Sequence, residues 1–120
     1  MGAAATGFPL LPSGYVAGTI TISSGQAGTP QQLLTLIQTQ LDANCPGAGQ
    51  EVTLQADGNS GALYVGRANL VGALSTSNYG YVLQPGNSRT YRSSFPGNSS
   101  PVGDLQVFMV AAGVFHVEVH

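Results

Sequence analysis

Residues 51–66 read EVTLQADGNSGALYVG, and the fold class follows from how this stretch is parsed. Val52, Leu54 and Ala56 alternate with Glu51, Thr53 and Gln55, the period-two pattern of a strand with one face buried and one wet. DGNSG (57–61) has turn chemistry, since Asp and Asn bond their own backbone and Gly relieves backbone strain. The apolar run ALYVG follows, so the stretch predicts strand, turn, strand, with the two strands able to pair as a hairpin.

The same period appears on either side. In residues 15–22, YVAGTITI, Thr19 and Thr21 alternate with Ile20 and Ile22, which marks a first strand. Residues 78–83 give another short strand. Gln84-Pro85-Gly86-Asn87 then forms a turn, with Pro presetting one central position and Gly supplying positive φ at the next. Residues 89–93 leave it as a polar strand, 93–103 read as a loop, and strands close the chain over 105–111 and 113–119. Leu105 to Val110 are apolar on both faces apart from Gln106, which places that strand centrally in a sandwich or beneath a neighbouring molecule.

One segment has helical character. Thr29 is positioned to cap it, Pro30 suits its first position and Gln32 completes a capping box. Leu33, Leu34, Ile37 and Leu41 recur at helical spacing, and Asn44-Cys45-Pro46-Gly47 is a stop signal. The expectation is one short α-helix near residues 30–43 against a mainly β chain of seven or eight short strands. That spacing favours an antiparallel β-sandwich or jelly roll over a small closed barrel.

At 120 residues the chain suits one domain. We read residues 15–120 as the β-sandwich domain and residues 1–14, MGAAATGFPLLPSG, as an extended N-terminal arm. Pro9 and Pro12 interrupt the arm's apolar run and no cationic segment precedes it, so neither a signal peptide nor a membrane span is expected. Gly2 and Thr6 satisfy a myristoylation pattern, but no second lipid signal accompanies them.

Charged residues make up only 7% of the chain, against about 25% in ordinary soluble domains. Lysine is absent, and Arg67, Arg89 and Arg92 are the three permanent cations. A surface of small neutral polar groups loses little side-chain entropy when it is covered, which suits a chain that works in contact with neighbours. With a net charge of −2 and no basic cluster, neither nucleic-acid binding nor adhesion to an anionic membrane is expected.

Chemistry is sparse. Cys45 is the single cysteine, so no intrachain disulfide forms, and it reads as an inert turn residue. The carboxylates Asp42, Glu51, Asp57, Asp104 and Glu118 are scattered, and Asp57 and Asp104 have turn duties. His116, Glu118 and His120 share one face of the last strand. The two histidines stand roughly 13 Å apart along it, too far for one metal ion, so a terminal strand with a wet face is the reading adopted. Nucleophile elbows and phosphate loops are missing. The sequence therefore predicts no enzyme, no cofactor and no metal. The tyrosines leave a carbohydrate-binding or host-recognition module as the alternative.

Residues 62–91, ALYVGRANLVGALSTSNYGYVLQPGNSRTY, followed by 104–119, DLQVFMVAAGVFHVEV, resemble a pattern in small β-sandwich virion proteins of tailed bacteriophages. The matching positions are Tyr64-Val65-Gly66, then Gly80-Tyr81-Val82-Leu83-Gln84-Pro85-Gly86, then the closing strand. The resemblance covers about half the chain and implies a capsid decoration (cement) protein, or a related neck or tail component. It implies location on the virion's capsid surface and, as partners, the major capsid protein and further copies of the chain itself. Phe8, Leu10, Leu11 and Tyr15 of the arm, with Phe95 and Phe108, are the expected protein contacts.

Overall fold

The computed structural model describes residues 16–47, 51–68, 70–92 and 101–120. Eight strands and two short helices follow one another as β1 Val16–Ile22, β2 Gln31–Gln32, α1 Leu33–Gln40, β3 Val52–Ala56, β4 Leu63–Arg67, β5 Tyr81–Leu83, β6 Ser88–Tyr91, α2 Pro101–Asp104, β7 Leu105–Phe108 and β8 Gly113–Val119. They form two four-stranded antiparallel sheets, ordered β1-β8-β3-β6 and β2-β7-β4-β5.

The pairing is nested. First strand pairs with last, Ile20 facing Phe115; β2 pairs with β7, β3 with β6 and β4 with β5. The chain thus folds back on itself as one long double ribbon, and the β3–β8 and β4–β7 contacts roll that ribbon into two sheets. This is the strand order of a jelly roll, in which the two ribbon ends close over one core.

Alternation determines what enters that core. Ile20 and Ile22 from β1, Val52, Leu54 and Ala56 from β3, Leu63 and Val65 from β4, and Phe115, Val117 and Val119 from β8 join one buried cluster. Their polar neighbours Thr19, Thr21 and Gln55 face out. Each strand therefore contributes every second side chain, as the sequence pattern predicts.

The hairpin expected over 51–66 does not form. β3 has both of its edges occupied, by β8 and β6, so the 57–61 turn carries the chain across to the opposite sheet. The turn itself has the expected chemistry, with Asp57 Oδ2 accepting from the Asn59 amide at 2.9 Å.

The helix also starts later than its capping signals suggest. Gln31 and Gln32 pair with Val107 and Gln106 of β7, which draws the backbone into extended geometry. α1 begins at Leu33 with Gln32 as its N-cap and no side-chain capping bond, and it ends at Gln40. Leu33, Leu36 and Ile37 bury its inner face. The expected strand over 78–83 shortens to β5, and part of the expected 93–103 loop is the single helical turn α2.

The turn after β5 takes the form read from its sequence. The Asn87 amide donates to the Gln84 carbonyl at 2.9 Å, and Gly86 has φ of 88°, as a type II turn requires. Gly86→Ala forces a Cβ into the left-handed region and is expected to cost about 1 kcal/mol. A thermal melt should show a drop of about 4 °C or more; an unchanged midpoint would show that the turn can switch type freely.

Candidate functional site

The inner faces of the two strands at the open edge of the sandwich break the aliphatic rule. Register places Arg89 beside Leu54 and Tyr91 beside Val52 on β6, and Tyr81 beside Val65 on β5. Arg67 lies opposite Leu105 at the end of β4. By alternation all four side chains point between the sheets, where they line a cleft of about 250 Å³ with Val65, Leu70 and Leu105.

Arg89 spans the gap. Its guanidinium carbon lies 4.2 Å from the Tyr81 ring centroid, on the opposite sheet, and 5.3 Å from that of Tyr91. Both distances are within cation–π range. Arg67 is engaged elsewhere, its Nη1 donating to Asp104 Oδ2 at 3.2 Å. Arg92 pairs with Glu51 at the surface, a contact worth little in water. Arg89 is thus the arginine with no carboxylate partner among the described residues.

Tyr91 is 8% exposed, its hydroxyl oxygen sealed from solvent. Burial pushes that hydroxyl above the usual phenol range, against the pull of the nearby Arg89 and Arg67 charges and of a hydrogen bond from Arg89. The group is therefore a neutral donor at ordinary pH. An inward charge on an edge strand also blocks edge-to-edge association, which gives Arg89 a structural duty.

A second cluster lies on the outer face of the other sheet. His116 Nε2 is 2.9 Å from Asp57 Oδ1, and its Nδ1 is 3.1 Å from Thr19 Oγ1. His120 Nε2 is 3.4 Å from Glu118 Oε1. The two histidines thus hold separate carboxylates, and no group of three or more His, Cys, Asp or Glu suited to a metal occurs among the described residues. The Thr19–His116–Asp57 chain stands on a wet strand face with His116 more than a third exposed. It ties β1, β8 and the 57–61 turn together.

The His116 hydrogen bond, followed by that of the Asn59 amide, holds the Asp57 carboxyl below the ordinary aspartate range. A depressed carboxylate contributes stability that is present above its unfolded pKa of about 4 and lost as pH falls through the lower folded value. Asp57→Asn is therefore expected to flatten the acid limb of a melting-temperature profile below about pH 4. An acid limb identical to that of the parent chain would remove the pair from the account.

Of the expected protein contacts, Phe8, Leu10, Leu11, Tyr15 and Phe95 lie outside the described residues. Phe108 is on β7, 8% exposed in the single chain. It lies opposite Tyr64, the ring centroids 6.2 Å apart, and Tyr79 meets Tyr64 edge-on at 5.2 Å. β7 runs between β2 and β4, the central position allowed for it by its two apolar faces. Cys45 is buried, and burial, followed by the Asp42 charge, raises its thiol pKa.

The cleft was not anticipated as a unit. Residues 89–93 read as a polar strand, and the usable signal was that Arg89 and Tyr91 share the face opposite to Ser88 and Thr90.

A scan against protein-family models, a search of curated proteins and a search of solved structures each find no match for this chain.

Proposed function

We propose that this chain is a structural virion protein that decorates a phage capsid and stabilises it by bridging neighbouring capsid subunits. The observation that carries the reading is a jelly roll whose outer sheet is mostly small and neutral, the ionisable groups of its central strand β8 being paired as His116–Asp57 and His120–Glu118. Thr19, Thr21, Thr53, Gln55, Ser88 and Thr90 face outward across β1, β3 and β6. Thr53 and Thr90 already share a hydrogen bond of 2.8 Å across the strands.

Such a face suits assembly because short hydroxyl side chains have little rotamer freedom to lose and no ammonium to dehydrate. Jelly rolls recur in capsid proteins, which supports the reading at the level of architecture alone. The strand and turn motifs at 64–66 and 80–86 add to it, as does the arm expected from the sequence over residues 1–14, which lie outside the described residues. The partners are then the major capsid protein and further copies of this chain, and the role is mechanical, not catalytic.

The test is co-sedimentation of the purified chain with phage capsids stripped of minor proteins. The full chain should saturate a fixed number of sites per shell, and a variant lacking residues 1–14 should bind at least about tenfold more weakly. Absence of saturable shell binding by the full chain would overturn the proposal.

A further inference from the structure

We propose that the Gln40 side chain closes the edge of β1 against strand addition by a second copy of this chain. The inference stands whether or not the chain binds a shell.

Among the described residues each sheet ends in two edge strands, β1 and β6 in one and β2 and β5 in the other. An edge strand presents backbone donors and acceptors that another chain can extend unless something blunts them. Three of these edges are blunted by ordinary means. β2 has two residues and β5 three, too few for a stable ladder of their own, and β6 carries the inward Arg89. β1 has none of these devices. It runs for seven residues, VAGTITI, with no charge and no proline, a composition that favours strand addition.

The end of α1 stands at this edge instead. The Thr21 amide donates to Gln40 Oε1 at 2.7 Å, and Gln40 Nε2 donates to the Thr21 carbonyl at 2.8 Å. A primary amide offers the same donor and acceptor as a peptide group. The two-bond ring therefore reproduces what one residue of a neighbouring antiparallel strand would form. Both backbone groups of Thr21 point away from β8, and the two-residue period of the strand directs those of Ala17 and Thr19 to the same side. A strand arriving along β1 finds partners at Ala17 and Thr19 and then meets Gln40 at Thr21.

The next residue holds the cap in place. Leu41 lies against β1, where a Cβ on Gly18 would stand 2.7 Å from Leu41 Cδ2, so the glycine lets the end of α1 sit close to the strand. The Leu41 amide keeps its bond to the Ile37 carbonyl at 2.8 Å. Local stability gives little reason for a glutamine here, because both Gln40 bonds are at the surface and water would satisfy Thr21 nearly as well. Exclusion of a competing strand supplies the reason.

The experiment is sedimentation velocity of the full chain over a concentration series, with Gln40→Met and Gln40→Ala set against the parent and Thr39→Ala. Methionine keeps the length and helix propensity of glutamine and loses both bonds. The two Gln40 variants should form faster-sedimenting species at concentrations at least about tenfold lower than the parent. Thr39→Ala, exposed on the same helix, should sediment as the parent does. In the associated Gln40→Met chain the Ala17 and Thr19 amides should exchange hydrogen at least about tenfold more slowly than in the dilute chain. The proposal is overturned if both Gln40 variants sediment like the parent, if Thr39→Ala associates as they do, or if association leaves exchange at Ala17 and Thr19 unchanged.

Discussion

Phe115→Ala is expected to remove about 3–5 kcal/mol of stability, a large part of what a domain of this size has. The ring is fully buried on β8, a strand hydrogen-bonded on both sides. It lies beside Ile20 of β1 and beside Ala56 of β3. The small neighbour on one side leaves room for the ring. The cost is therefore the transfer term together with a cavity term. Phe108→Ala makes the comparison, since that ring is nearly as buried but lies outside the buried core cluster, against Tyr64 on the outer face. Thermal melts followed by circular dichroism should place Phe115→Ala at least about 12 °C below the parent and Phe108→Ala clearly less. A loss under about 1 kcal/mol for Phe115→Ala would mean that the two sheets collapse onto the gap, contrary to a rigid jelly roll.

The strand faces were legible because alternation is a local property. Val52, Leu54 and Ala56 point inward as read, as do Ile20 and Ile22, and β8 runs from Gly113 to Val119 as expected. Partnership is not local. Nothing in residues 51–66 reveals that β3 is flanked by β6 and β8, strands that lie far along the chain, so the nearest hairpin looked available and was not. The late start of α1 has the same origin. Thr29, Pro30 and Gln32 carry genuine capping chemistry, and two ladder pairs to β7 outweigh it. The cleft combines both effects. Arg89 and Tyr91 visibly share a face, but only the rolling of the ribbon turns that face inward and brings Tyr81 and Arg67 to it from the other sheet.

Gly103→Val is expected to cost about 2–3 kcal/mol through a clash that side-chain rotation cannot relieve. A Cβ on Gly103 would stand 2.5 Å from the Gly47 carbonyl oxygen, which is backbone. Neither segment is free to withdraw. Gln38 Nε2 donates to the Cys45 carbonyl at 2.9 Å, tying residues 45–47 to α1, and Val102 and Leu105 are fully buried on either side of the glycine. Asp104 is fastened from the opposite direction, its carbonyl accepting from the Ala68 amide at 2.8 Å and its carboxylate holding Arg67. Gly103→Ala adds the same offending atom and should show most of the effect, whereas Gly58→Ala, with nothing within 4 Å of the added carbon, should melt within about 2 °C of the parent. If Gly103→Ala and Gly58→Ala melt together, residues 45–47 separate from α2 at little cost. The expected outcome instead makes that contact the point where α1, α2 and the Arg67 end of the cleft are fixed to one another.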